Sequence, residues 1–256
     1  MFDSLCKYLV EKFSDDFATW LLGEPISLTE LSPKELSLEP IRADALILRQ
    51  SEKLVLQVEF QTQPDPKIPF RMTDYRLRVY RRFPDKKMRQ VVIYLKKTNS
   101  EEVYKSKFEL EETIHRFQVI RLWEQPTEIF LQTPALLPFA VLSNTESKTS
   151  TLQEVATRIN NINDKKIQSD VAASAFILAG LVLKQEEIQR LLRRDIMRDS
   201  VTYQLIKEEG AEENTRKIAI NMLQEGISIE LVAKTTGLTV EEVQQLQSTQ
   251  VDNQAE

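Results

Sequence analysis

Ile41-Arg42-Ala43-Asp44-Ala45-Leu46-Ile47-Leu48-Arg49 is followed, after the polar connector Gln50-Ser51-Glu52-Lys53, by Leu54-Val55-Leu56-Gln57-Val58-Glu59-Phe60-Gln61. Both segments are short, apolar and bounded by polar residues, the pattern of two strands joined as a hairpin. With Ser51 and Glu52 as the central turn residues, Gln50 faces Lys53 and Asp44 faces Glu59. Directly opposed side chains on antiparallel strands stand about 5 Å apart at Cβ. Side chains alternate faces along a strand, so Gln61 shares the face of Glu59.

Two carboxylates that close repel each other unless a cation lies between them. Polar residues on a solvated sheet face are ordinary, but Asp44 and Glu59 sit inside apolar runs, where an ionised carboxylate is costly unless paired or metal-bound. A divalent ion on Asp44 and Glu59 is the simplest partner. It activates water and offsets charge on a phosphate, with Gln61 placed to orient the water or bond a phosphate oxygen.

The composition narrows the chemistry. The chain has 256 residues, 1 His, 1 Cys and 5 Gly. A lone histidine, His115, removes His-paired metal sites, and with Cys6 it cannot build a structural zinc site. Cys6 and His115 are read as structural residues. A carboxylate site favours a hard ion such as Mg²⁺, with Mn²⁺ as substitute. Scarce glycine argues against a phosphate loop, and neither common Gly-rich pattern occurs. One cysteine, a charged N-terminus and no long apolar run point to a cytoplasmic protein with no disulfide and no membrane span. The net charge is −5, so any nucleic-acid contact must come from a local basic face.

Outward from the hairpin, Phe2–Leu22 carries an apolar stripe at helical spacing and ends at Gly23 and Pro25. Phe70–Phe83 is a helix with Tyr75, Val79 and Phe83 on one stripe. Gln90–Leu95 is a continuous apolar run, the mark of a buried strand. His115–Leu122 reads as a further strand. The order predicts an α/β fold with a mixed sheet flanked by helices. Beyond Pro138 the chain reads as all helical, over 150–163, 171–183, 185–210, 212–226, 229–236 and 240–247. We place domains at residues 1–145 and 146–247, with a polar, disordered tail at 248–256. The charged helices of the second region suit packing or homo-oligomer formation. Ile229–Thr236 and Val240–Gln247, joined at Gly237, suggest a helix-turn-helix. Its second helix offers Glu241, Glu242, Gln244 and Gln245 but no Lys or Arg, which favours packing over base reading.

The stretch Arg42-Ala43-Asp44-Ala45-Leu46 with Val58-Glu59-Phe60-Gln61-Thr62 resembles the core of PD-(D/E)XK nucleases. With Phe2–Lys7, Phe70–Tyr75, Leu122-Trp123-Glu124, Leu136-Leu137-Pro138 and Thr236-Gly237-Leu238, the chain resembles more closely the Rpn family of recombination-promoting, transposase-like nucleases. The resemblance implies a restriction-endonuclease-like fold that cuts DNA with Mg²⁺ or a similar ion, in a recombination or mobile-element setting. It implies metal ligands at Asp44 and Glu59, and Gln61 where most members have Lys. Gln neither carries positive charge nor activates water as Lys does. Lys7, Lys53, Arg71 and Arg78 are candidate substitutes, and Glu11 a candidate extra acid.

Arg71–Arg89 is the local basic stretch of this acidic chain. Arg71, Arg78, Arg81 and Arg82 are the candidate DNA contacts, through phosphate. The resulting expectation is a Mg²⁺-dependent DNA endonuclease with catalytic residues Asp44, Glu59 and Gln61. The alternative is a catalytically decayed relative that binds DNA or a protein partner.

Overall fold

The computed structural model describes residues 2–31, 46–192, 194–197 and 200–253. Residues 2–203 and 204–256 make two compact units, each treated by itself below. The boundary expected near 143–150 falls inside the first.

The first unit opens with α1 (Phe2–Lys12) and α2 (Ser14–Leu22), which replace the single expected helix. Phe13 leaves helical geometry at φ −121°, ψ 43°. Asp15 and Asp16 then occupy the first turn of α2, where carboxylates favour a helix start. Gly23, at φ 82°, caps α2 by donating its N–H to the Thr19 carbonyl at 3.0 Å.

Next come β1 (Thr29–Glu30), β2 (Leu46–Gln50), β3 (Leu54–Gln61), α3 (Ile68–Arg82) and β4 (Lys87–Tyr94). The expected bounds of β3 are met. Those of β2 are met from Leu46 onward; Asp44 and its neighbours 32–45 lie outside the described residues. The stretch expected as one strand over 115–122 divides at Phe117. Before it, β5 (Lys107–Leu110) and β6 (Thr113–Arg116) pair as a separate hairpin that the sequence did not suggest; after it, β7 (Gln118–Arg121) joins the main sheet. Phe117 causes the break: its ring is buried among Ile68, Met72 and Val103, and its N–H turns to the Ser106 carbonyl at 3.0 Å.

The main sheet is mixed, in the order β1-β2-β3-β4-β7. β1–β2 and β2–β3 are antiparallel; β3–β4 and β4–β7 are parallel, with α3 connecting β3 to β4. The pattern of β3 explains its place. Val55 packs under Tyr75 and Val79 of α3, and Gln57 and Glu59 bond to α3 side chains, so the odd positions face α3. Phe60, of the other parity, packs on the far face. Its ring lies 5.8 Å from Phe139 and 6.5 Å from Phe17 of α2. Phe139 belongs to a fully buried 3-10 segment, Leu137–Leu142. Together with Trp20 and Phe130 these rings cement the sheet to that layer.

The chain then continues through α4 (Thr127–Phe130), α5 (Lys148–Asn160), α6 (Lys165–Ala179), α7 (Gln185–Leu191) and α8 (Arg194–Met197). Asp164 starts α6 by accepting from the Lys166 and Ile167 N–H groups, each at 2.9 Å. A polar clamp ties α6 back to α1. Asp170, with no exposed surface, accepts from Tyr8 at 2.6 Å, from Ser200 at 3.0 Å and from the Lys12 ammonium. The helix expected over 185–210 is interrupted because Leu192 turns extended and buried, and Ser200 is drawn in to Asp170.

The second unit holds the rest of α9 (Val201–Gln224), with α10 (Ile229–Thr236) and α11 (Val240–Asn253). Its core is Ala219, Val232, Ala233 and Val243, flanked by Met222, Leu223, Ile227, Leu238 and Leu246. This is the expected helix-turn-helix. Gly237 makes the turn at φ 77°, left-handed backbone that a Cβ disfavours. Gly237→Ala is therefore expected to lower stability by about 1–2 kcal/mol, measured by urea unfolding followed at the helical signal. Among the described residues no helix is long and apolar enough to cross a membrane.

Candidate active site

The odd face of β3 passes from apolar to polar as it runs: Val55, Gln57, Glu59, Gln61. On parallel β4 the residues beside the last three are Gln90, Val92 and Tyr94. α3 covers this face, so Glu59 lies beneath a helix at the C-terminal end of a central strand.

Glu59 is only 2% exposed. A carboxylate there needs partners, because burying an unpaired charge costs several kcal/mol. Arg71 of α3 supplies them. Its Nε donates to Glu59 Oε1 at 3.1 Å and to Oε2 at 3.4 Å, and its Nη2 bonds Oε1 as well. Gln61 donates through Nε2 to the same Oε1 at 2.9 Å. The remaining guanidinium nitrogen, Nη1, holds Asp65 of the β3–α3 loop at 2.9 Å. One arginine thus bridges two carboxylates. Burial opposes the charge on Arg71, but Glu59 and Asp65 overcome it and raise the arginine above its ordinary range. Burial would raise Asp65; the Lys67 backbone N–H and Arg71 outweigh it and lower the carboxyl below the ordinary range. Tyr75 and Tyr94 flank the cluster. Burial, with the negative charge of Glu59 behind it, pushes each phenol up to about 12, so both stay protonated donors near neutral pH.

The hairpin register differs from the expected one. Leu46, not Asp44, stands opposite Glu59, and Gln50 stands opposite Val55. Ser51 is the cause: its N–H donates to the Leu54 carbonyl at 2.8 Å, and its Oγ accepts from the Leu54 N–H at 3.2 Å. That places Ser51 opposite Leu54 and makes Glu52 and Lys53 the two central turn residues, one position later than the Ser51-Glu52 turn assumed. The slip is two residues, so every side chain keeps its face. Asp44 itself lies outside the described residues.

Of the candidate substitutes for the missing lysine, only Arg71 reaches Glu59 among the described contacts. Lys7 pairs with Glu11 at 3.9 Å on α1, which occupies the candidate extra acid too. Lys53 sits in the hairpin loop, at the other end of β3. Arg78 is paired with Asp74 at 2.8 Å. Arg81 and Arg82 are exposed at the far end of α3, about 15 Å along the helix from Arg71. The four candidate DNA contacts therefore do not form one patch. Arg71 belongs to the carboxylate site, Arg78 is offset by Asp74, and Arg81 and Arg82 belong to another surface. The sequence reading also missed Asp65, and Tyr94 as a wall of the site.

The donor chemistry, carboxylate oxygen, fits a hard divalent ion. Among the described residues no three His, Cys, Asp or Glu side chains converge to hold one, and both oxygens of Glu59 already accept from Arg71. Arg71 is therefore the competitor that a cation at Glu59 must displace or share with.

In the second unit, α11 exposes Glu241, Glu242, Gln244 and Gln245. Glu242 also caps its own helix, accepting from the Thr239 N–H at 2.8 Å. Residues 204–256 contain 4 Lys and Arg against 10 Asp and Glu, a balance that repels phosphate.

Residues 212–248 match the family model described as Rpn/YhgA-like nuclease family, C-terminal HTH domain. The match covers the end of α9, all of α10 and most of α11. No curated protein and no solved structure matches the chain.

Proposed function

We propose that this chain is a metal-dependent DNA endonuclease whose chemistry sits where β3 ends, in the region 1–145. The carrying observation is Glu59, a carboxylate kept ionic and buried at the end of a central strand, with Gln61 beside it and Arg71 as counter-charge. A purely structural position would more simply hold an apolar residue, since a buried ion pair adds little net stability over a well-packed apolar pair. Two further findings support the reading. The mixed sheet flanked by helices is of the fold class that the resemblance to PD-(D/E)XK nucleases implies. The match of residues 212–248 is to a domain described for a nuclease family.

In this proposal Asp44 and Glu59 hold Mg²⁺, or Mn²⁺ in its place. The ion supplies Lewis acidity toward a phosphodiester when bound. The residues of the chain do the rest. Gln61 fixes the orientation of the Glu59 carboxylate through its amide. Arg71, released in part from Glu59, offers a planar donor pair to a phosphate oxygen. Tyr94 keeps its proton and so donates rather than accepts. The setting we propose is recombination or a mobile element, in the cytoplasm. The test is nicking of supercoiled plasmid in Mg²⁺ by the wild-type chain and by Asp44→Ala. The variant is expected to be at least tenfold slower; equal rates would remove Asp44 from the site.

One observation favours a second reading, a decayed nuclease that binds DNA or a protein partner. Arg71 and Gln61 already satisfy Glu59 without a metal. Mn²⁺ titration separates the two: measurable affinity that Asp44→Ala abolishes supports the nuclease, and no affinity supports the decayed form.

A further inference from the structure

A cavity opens at the opposite end of the sheet from Glu59. Its volume is about 580 Å³, and its wall includes Lys53, Lys87 and Arg89. The topology puts these cations together. Lys53 is the last residue of the hairpin loop, and its carbonyl accepts from the Lys87 N–H at 2.9 Å. Arg89, two residues on, lies on the same face of β4 as Lys87, the face turned away from α3. All three are exposed, and among the described residues none is in an ion pair, unlike Arg71 and Arg78.

The basic surface continues round the rim. Ser51 also lines the cavity, and its carbonyl accepts from Lys86 at 2.9 Å. Lys86 and Arg82 both lie over the ring of Phe83, at 4.7 and 5.7 Å from its centroid. Glu24 and Glu52 lie in the same cavity wall, so the excess of charge is modest inside it and grows outward through Lys86 and Arg82. A shallow, wide basic rim of this kind suits a chain of anions better than a single small one.

We propose that this cavity and its rim bind the phosphate backbone of duplex DNA, through Lys53, Lys87 and Arg89. The inference rests on the nuclease reading for the identity of the polyanion. Lys53 and Glu59 lie about 20 Å apart along β3, and Lys87 and Arg89 face the other side of the sheet from Glu59, so this surface is a backbone contact separate from that carboxylate. Residues 204–256, with 4 Lys and Arg against 10 Asp and Glu, are acidic by comparison. The predicted arginines 71 and 78 are then not the main phosphate contacts; the loop of the hairpin and the start of β4 are.

The test uses the full chain carrying Asp44→Ala, in EDTA, so that binding is read without cleavage. Anisotropy of a labelled 20-base-pair duplex is followed against salt. Lys53→Gln/Lys87→Gln/Arg89→Gln is expected to weaken binding at least tenfold at low salt and to lower the log–log salt slope by about two to three, near one per cation removed. Each single substitution is expected to lower the slope by about one, which keeps the test decisive should the triple variant fold poorly. Lys105→Gln/Lys107→Gln, just before and at the start of β5, is the control and is expected to change neither quantity. No duplex binding by the parent chain, or a slope that the three substitutions leave unchanged, overturns the proposal. Loss of nicking with this binding intact would instead count against the catalytic reading alone.

Discussion

Arg71→Met is expected to lower the unfolding free energy of the chain by about 3–5 kcal/mol, the range for removing one partner of a buried ion pair. Glu59 is 2% exposed, and without Arg71 it keeps, among the described residues, a single donor, the Gln61 amide. The carboxylate is then left buried without its counter-ion. Asp65 loses the same partner but suffers less: it is partly exposed, and the Lys67 N–H still donates to it at 2.8 Å. Its lowered carboxyl contributes stability at neutral pH that fades only as pH falls through that depressed range. The double variant Glu59→Gln/Arg71→Met is expected to recover most of the loss, because it removes both charges together. Urea unfolding of the four forms closes the cycle and gives the coupling energy directly. A single variant that loses less than about 1 kcal/mol would mean that Glu59 is not held by Arg71 in solution.

The parts of this site that local pattern controls were readable in the sequence. β3 announces itself by eight residues of strand character between polar ends, and Glu59 by its position inside them. α10 was equally legible, because Ser228 and Gly237 mark its two ends. What local pattern does not control was missed. The hairpin register depends on one serine closing its loop, a choice that strand propensity does not see. The division at Phe117 follows from what that ring packs against, and the helix breaks at Phe13 and Leu192 are likewise absent from the local pattern. The role of Arg71 lay between these cases. The stripe Tyr75, Val79, Phe83, continued one turn back, lands on Arg71, so helical phase alone aims it at the sheet. Phase does not say which strand residue waits there; that needed the parallel pairing of β3 with β4, which sets Glu59 and Gln61 beside Val92 and Tyr94 under the first turns of α3.

Gln61→Lys is expected to raise Mg²⁺-dependent nicking by about tenfold to a hundredfold, because the position lacks only charge. Gln61 already sits at the strand end, 2.9 Å from Glu59 Oε1 and beside Tyr94. A lysine there keeps the backbone and brings an ammonium to a half-buried site, where charge acts through a lower dielectric than water. Placing or removing one such group commonly changes turnover by about a hundredfold or more. The expected gain is discounted because the new ammonium also pairs with Glu59. That pairing has a second consequence: Glu59 then has two counter-charges, and Arg71 is freer to leave it for a phosphate. Gln61→Met, similar in size but uncharged, is expected to give no gain and to lose the hydrogen bond to Glu59. Initial rates of plasmid nicking, compared at equal Mn²⁺ affinity, separate charge from metal loading. Should Gln61→Lys fold and bind Mn²⁺ as the wild type does yet nick no faster, missing positive charge is not what limits this site, and the bridge from Arg71 to Glu59 and Asp65 becomes the barrier to test next.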